Sequence, residues 1–205
     1  VEAMKQGATD YILKPFDRKI LVRSLEKILQ RRRLRDEHAR LMAENLEYMG
    51  VLSLYERAAG LFSTLAIEPL AERVIEGLCL ETRAQGGVLW VAEDLEMGHL
   101  KLVGARGIIR VDEEPEEIDV TRLGEEFQPL LTEGLSIVQP LSRGGAAGEA
   151  LYVPMRHSGA VIAIARLSDK LEANALGDRD RAAAEKFIGF GTTAVVNALR
   201  FRGLE

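Results

Sequence analysis

The amino-acid sequence predicts an α+β fold in which a long N-terminal helix precedes a domain with antiparallel strands. Three observations predict this class. Residues 31–62 contain only two helix breakers, Gly50 and Gly60, and are heavily charged at first, as in a long exposed helix. From about residue 63, helix and strand patterns alternate with glycine-rich stretches. Two pairs of apolar runs are joined by connections too short for parallel strands, which need a dozen residues or more.

The first helix of this domain is predicted to begin at Pro69, where a missing backbone N–H costs nothing. Leu70, Val74 and Leu78 then recur at helical spacing, so one apolar stripe faces the core. Glycines 86 and 87 end the pattern. We therefore expect a buried helix immediately before the first strand.

Two hairpins are predicted from short apolar runs with turn residues between them. The first joins 88–91 to 100–103, and the second joins 151–155 to 161–165. Pro154 cannot donate to a strand ladder, so we expect its donor side to face an edge or a bulge.

The stretch between the hairpins is the least regular part of the sequence. It predicts an acidic loop at 112–117, a short helix from Thr121 to Leu131, a short strand at 136–138 and a flexible connection at 144–148. Glycine-rich spacing typical of a phosphate-binding loop does not occur there.

The closing helix is predicted from about Asp178, a suitable N-cap, to Arg202. Gly189 and Gly191 lie inside it, where each costs about 1 kcal/mol relative to Ala. That cost predicts close packing by another helix.

Composition excludes several classes of protein. A net charge of −5, from 27 basic and 32 acidic residues, argues against a dedicated nucleic-acid binder. A single Cys excludes a disulfide framework, and with three His it leaves little for a zinc site. No apolar run approaches the ~18–20 residues of a membrane span, and no signal-peptide pattern is present. We therefore expect a cytoplasmic setting, no membrane partner and no cofactor.

The segment from Ala3 to Phe16 contains the pattern Gly-Ala-x-Asp-Tyr-x-x-Lys-Pro-Phe. It resembles the end of a response-regulator receiver domain of a two-component system. The resemblance implies that Lys14 contacts a phosphoryl group, that Tyr11 changes rotamer on activation, and that the peptide bond before Pro15 is cis. A lysine ammonium on a flexible stem suits a phosphoryl oxygen. We expect residues 1–30 to be the C-terminal remnant of such a domain and the chain to be a fragment of a larger regulator.

Residues 57–203 resemble a GAF domain. The resemblance rests on a Pro-initiated helix, a Gly-Gly-x-Leu-Trp-Val hairpin, an irregular region, a second hairpin and Leu-Gly-Asp-Arg-Asp opening a long helix at 176–180. It implies a central antiparallel sheet of five or six strands, with the terminal helices on one face. On the other face, irregular segments would surround a pocket for a small molecule. The family also serves as a dimeric relay between sensor and effector.

Eight side chains are candidates for lining that pocket: Trp90, Val103, Arg106, Ile108, Ile118, Phe127, Leu130 and Leu131. Concave apolar sites with few polar groups are the usual form of a ligand pocket. Arg106 and Arg110 could supply charge for an anionic ligand, although surface salt bridges explain them equally well. Side chains that simply fill the space are an equal alternative to an open pocket.

Residues 31–56 are predicted to form a helical coiled-coil linker. One seam places Leu41, Tyr48 and Tyr55 at d positions, and Asn45 and Leu52 at a positions. An Asn at an a position favours a paired, in-register dimer. Other apolar residues follow a different frame, so the stripe is broad enough for a four-helix dimer bundle. A helix packed only on its own domain is the alternative.

The predicted function is a non-enzymatic signalling module that acts as a homodimer. Its GAF domain would sense a small ligand or relay receiver phosphorylation through the linker. One alternative is a dimerisation scaffold that binds no ligand. Another is a GAF-fold enzyme, which would need nucleophilic cysteines that Cys79, on an apolar helical stripe, does not supply. The last is a nucleic-acid contact through Arg31 to Arg35, which the acidic residues that follow argue against.

Overall fold

The structure is a computed structural model that describes residues 12, 14–15, 17–93, 98–109, 113–143, 146–170 and 175–203. The chain divides into two units, residues 1–53 and residues 54–205. Tyr11 lies outside the described residues. Lys14 and Pro15 are exposed, and the peptide bond between them is cis, as expected.

Helix α1, Arg18–Leu61, has 44 residues and is continuous through Gly50 and Gly60. At 1.5 Å per residue it is about 66 Å long. Its two buried residues, Ala58 and Leu61, lie in the last turn. The helix therefore exposes most of its surface, as the charged composition of the predicted linker indicated. None of the described helices is long and apolar enough to span a bilayer.

Besides the end of α1, the described part of the second unit contains two further α-helices and a six-stranded sheet. Their bounds are α2 Ile67–Thr82, β1 Ala84–Ala92, β2 His99–Gly107, β3 Glu117–Asp119, β4 Ile137–Arg143, β5 Ala146–His157, β6 Ala160–Lys170 and α3 Asp178–Arg202. The strand order is β3-β2-β1-β6-β5-β4, with every neighbouring pair antiparallel. This confirms the predicted α+β class and the sheet of five or six strands.

The irregular region differs from its prediction. The single helix expected from Thr121 to Leu131 is wrong: the chain forms 3-10 turns at 120–122 and 125–127 and a π turn at 129–133. Gly124 is extended and Pro129 lacks a backbone donor, so a continuous α-helical ladder is interrupted twice. Strand β3 also pairs with β2 where the acidic loop was expected to end.

Helices α2 and α3 pack on one face of the sheet and bury the larger part of the core. Phe187 of α3 packs directly over Gly77 of α2, where an added Cβ would lie 2.1 Å from Cζ of Phe187. The sequence predicted close packing at Gly189 and Gly191 instead. Within this chain nothing lies within 4 Å of the Cβ position of Gly189, and Gly191 makes ordinary contacts, one of them with Val74 of α2.

The start of α3 is fixed by Asp180 rather than by Asp178. The N-cap is Gly177, and the Asp180 carboxylate accepts its backbone N–H at 2.9 Å. Lys170 at the end of β6 donates to the same carboxylate at 2.8 Å. Since Asp180 is buried, this ion pair joins the last strand to the last helix.

Pro154 lies in β5 beyond Tyr152, the last residue that pairs with β4. It pairs with Ile164 of β6 on its other side, next to a bulge at Met155 and Arg156. Pro154 therefore lies where the pairing with β4 has ended and beside a bulge, as expected.

Candidate ligand-binding face

The sheet face opposite α2 and α3 carries a separate apolar group, here called the pocket-face cluster. The irregular segments between β2 and β4 cover it. Its fully buried members are Val88, Trp90, Ala92, Leu100, Leu130, Val161 and Ile164, and partly buried members include Leu102, Ile118, Phe127, Leu131, Ile137 and Tyr152. Five of the eight predicted pocket residues therefore lie together: Trp90, Ile118, Phe127, Leu130 and Leu131.

The other three predicted pocket residues lie elsewhere, which corrects their assignment. A bulge opposite Leu89 and Trp90 leaves Val103 unpaired in β2 and shifts the side-chain alternation. Val103 follows Leu102, which lies in the pocket-face cluster, so ordinary alternation places Val103 on the helix-face core. Arg106 pairs with Glu76 of α2, Nη2 to Oε1 at 2.9 Å. Ile108 is 58% exposed.

Arg166 in β6 is the charged residue of this face that the sequence analysis missed. Its side chain is only 6% exposed, and its Nη2 lies 2.5 Å from Oε1 of Glu114, which is 3% exposed. The guanidinium carbon is 5.4 Å from the ring centre of Trp90, a distance typical of a cation–π contact. Nε of Arg166 has no hydrogen-bond partner among the described residues. The face thus combines an aromatic surface with one deeply buried cation.

Glu114 belongs to the acidic segment, defined as residues 113–116, which lies across the cluster. Besides the ion pair, its attachments to the sheet include hydrogen bonds from two sheet residues. The indole Nε1 of Trp90 donates to the carbonyl of Pro115 at 2.8 Å, and the N–H of Leu102 donates to the carbonyl of Glu116 at 2.8 Å. Part of the loop that the sequence predicted as acidic is therefore folded onto the sheet.

The far side of the cluster is bounded by the 129–134 turn. Phe127 meets Tyr152 edge to face, with ring centres 5.1 Å apart. Tyr152 stands opposite Arg166 in the β5–β6 register. Arg156 donates to the carbonyls of Thr132 and Gly159 at 2.9 and 2.8 Å, and so ties this turn to the β5–β6 hairpin.

Cys79, the one cysteine of the chain, lies on α2 and packs against the helix-face core, away from the pocket-face cluster. Burial raises the pKa of its thiol to about 11, despite the opposing effect of Arg106. At neutral pH it is therefore a protonated thiol and a poor nucleophile. Among the described residues, no three His, Cys, Asp or Glu side chains are grouped as they would be at a metal site.

The predicted dimer seam is exposed along α1. Leu41, Tyr48 and Leu52 are exposed large apolar residues, with Tyr48 at 76% and Leu52 at 60%, and Asn45 is also exposed. Tyr55 is exposed but contacts Phe190 of α3 edge to face, with ring centres 6.0 Å apart. One face of the Tyr55 ring is thus packed against Phe190 within the second unit.

No family model matches the sequence, and no curated protein is significantly similar to it. Solved structures do match its fold. The GAF domain of a phosphoenolpyruvate-protein phosphotransferase from Acinetobacter superposes with a TM-score of 0.53 at 12% identity, covering 76% of this chain and 95% of that chain. Residues 122 to 287 of a methyl-accepting chemotaxis protein give 0.52 at 13%, covering 71% and 98%.

An enzyme also shares the fold. Free methionine-R-sulfoxide reductase from Neisseria meningitidis, solved with its substrate, gives a TM-score of 0.52 at 14% identity, covering 73% of this chain and 89% of that chain. At such identities the likeness concerns the fold alone. Residues 54–203 therefore have the fold of a GAF domain.

Proposed function

We propose that this chain is a regulatory module of a signalling protein, in which a ligand-sensing GAF-fold unit follows a helix that pairs two copies. The observation that carries this proposal is the exposed apolar surface of helix α1. Fourteen of its large apolar side chains are exposed, from Ile20 to Tyr55. Most helical stability in proteins comes from packing of an apolar face, and the buried residues of α1, Ala58 and Leu61, both lie in its last turn.

A second copy of the chain is the partner that fits this surface. Leu41, Tyr48 and Leu52 occupy core positions of one heptad frame, and burying each such side chain contributes about 1.5–3 kcal/mol. Asn45 lies at an a position, where it would meet its own counterpart in a parallel dimer and fix the register. The apolar residues outside this frame widen the surface toward a four-helix arrangement.

Sedimentation tests the dimer with a matched pair of variants. Tyr48→Asp with Leu52→Asp places two charges on the seam, and we expect a monomer. Ala43→Asp with Gly50→Asp adds the same charge to exposed positions outside the seam and should remain a dimer. If wild type and both double variants have the same mass, the helix is not the interface.

The order of segments suggests how a signal passes. Residues 1–30 resemble the end of a receiver domain, 31–56 are the linker, and 57–203 form the GAF domain. In this proposal, phosphorylation at a receiver biases the helix pair, and ligand bound on the pocket face biases the same pair from the other end. Such coupling is reciprocal in free energy, so each event changes the equilibrium of the other by the same factor.

We further propose that the module is not an enzyme. The reductase of similar fold raises the possibility of thiol chemistry, but the one cysteine here packs on the helix-face core, and burial raises its thiol pKa to about 11. The described part of the pocket face offers the Arg166–Glu114 ion pair, aromatic rings and aliphatic side chains, which suit the binding of a ligand. Reduction of free methionine sulfoxide by the purified chain would contradict this proposal.

A further inference from the structure

We propose that Glu114 is an internal occupant of an anion subsite, and that the ligand of this module is a small carboxylate with an apolar body that replaces Glu114 on Arg166. The inference rests on the proposed sensing function and specifies its ligand class.

The first observation behind this proposal is that Arg166 is buried. A buried ion pair is a poor source of stability, because apolar side chains of similar volume would fill the space at equal or lower free energy. Arg166 nevertheless lies in the centre of the sheet, between Val88 and Tyr152 of its two neighbouring strands. Its Nε faces no acceptor among the described residues, so the guanidinium has an unused donor. A buried cation with spare donor capacity is suited to binding an anion.

The geometry of the site favours a carboxylate. The guanidinium presents a planar fork that matches two carboxylate oxygens, and Glu114 already places one oxygen 2.5 Å from Nη2. A single positive charge balances a monoanion. Around it, Trp90, Phe127 and Tyr152 supply an aromatic surface for an apolar body. The same surface has little to offer a strongly hydrated inorganic ion.

Glu114 lies on a segment that can move away from Arg166. The acidic segment is attached to the sheet by the ion pair and by the hydrogen bonds to Trp90 and Leu102. Beside it, where β2 extends past its pairing with β3, is an open cleft of about 590 Å³, lined by Glu72 of α2 and by Leu102, Ala105, Glu114 and Glu116 among others. The segment therefore has space to move into. A ligand carboxylate would take over the contact of Glu114, and the departing segment would remove its own negative charge from the site.

Trp90 makes the exchange measurable, because it is the one tryptophan of the chain and contacts both Arg166 and the acidic segment. The chain is titrated with phenylacetate, with its neutral analogue phenylacetamide and with inorganic phosphate while Trp90 fluorescence is followed. We expect Glu114→Gln, which removes the competing charge, to bind phenylacetate at least tenfold more tightly than wild type. Glu116→Gln, a matched change at an exposed position of the same segment, should bind like wild type. Arg166→Met should lose the preference for phenylacetate over phenylacetamide.

Each other outcome counts against the inference. Equal affinity of Glu114→Gln and wild type for phenylacetate would show that Glu114 holds no ligand position. Equal binding of phenylacetamide would leave a sensing pocket, and hence the proposed function, but remove the carboxylate subsite. Phosphate binding as tight as phenylacetate would assign the site to inorganic anions instead. No binding of any probe to a folded Glu114→Gln would reject the subsite, while the sedimentation experiment still decides the dimeric module. Should Glu114→Gln fail to fold, Glu114→Asp, which withdraws the carboxylate by one methylene, must show the same gain or the inference fails.

Discussion

The contact between α2 and α3 at Gly77 gives a prediction whose size follows from the coordinates. In Gly77→Ala the new Cβ would lie 2.1 Å from Cζ of Phe187, whereas carbon atoms in contact are about 3.5–4.0 Å apart. Either the helices separate or the ring moves by roughly 1.4 Å or more. Phe187 is fully buried, so the ring has no free space to enter. Such overpacking costs about 1–3 kcal/mol, which exceeds the ~1 kcal/mol that Ala gains over Gly in a helix.

We therefore expect Gly77→Ala to lower the free energy of unfolding by up to about 2 kcal/mol, measured by urea denaturation with Trp90 fluorescence. Gly189→Ala is the matched control, since it makes the same change inside α3 with nothing within 4 Å of the new Cβ. The control should be stabilised by up to about 1 kcal/mol. Adding Phe187→Leu should cost less in the Gly77→Ala background than in wild type. If Gly77→Ala is stabilised as much as Gly189→Ala, Phe187 does not pack against Gly77 as the structure shows.

Two further predictions concern buried charges. Burial alone would raise the pKa of Asp180, but its hydrogen bonds with Lys170 and Gly177 outweigh burial and lower it. Asp180 therefore stabilises the fold above its unfolded-state pKa, and this contribution is lost as pH falls through the lower folded-state pKa. Asp180→Asn should cost about 1–3 kcal/mol at pH 7 in urea denaturation and progressively less in acid; a cost independent of pH would contradict this. Glu114→Leu should cost about 3 kcal/mol because it leaves Arg166 buried and unpaired, and adding Arg166→Met should recover most of that loss. Simple additivity of the two changes in a double-mutant cycle would show that the pair is not coupled.

The sequence was informative where a local pattern determines the structure. The long helix follows from a breaker-poor charged stretch, and the hairpins follow from short connections between apolar runs. The beginning of α2 was misplaced by two residues, at Pro69 instead of Ile67, because the first turn of a helix tolerates several residue types. Gly124 and Pro129 already disfavour a single helix between the hairpins at the level of the sequence.

The candidate site was less predictable because it depends on register and on distant contacts. The bulge at Val103 shifts the side-chain alternation of the β2 residues that follow it and so carries Arg106 to the helix face, and no local residue type marks the bulge. Arg166 was missed because the predicted strand ended at Ala165. Alternation from Ile164 would have placed it on the pocket face. Its partner Glu114 lies in a segment that composition alone assigns to solvent.

Disulfide cross-linking tests the central claim, that α1 pairs two copies in parallel and in register, most directly. With Cys79→Ala as background, Asn45→Cys places a thiol at the seam, and Glu47→Cys places one on the same helix two residues away from it. After mild oxidation we expect Asn45→Cys to form a covalent species of twice the 22.6 kDa chain mass, and Glu47→Cys to remain monomeric on a non-reducing gel. Equal cross-linking at both positions, or none at position 45, would contradict the parallel helix pair.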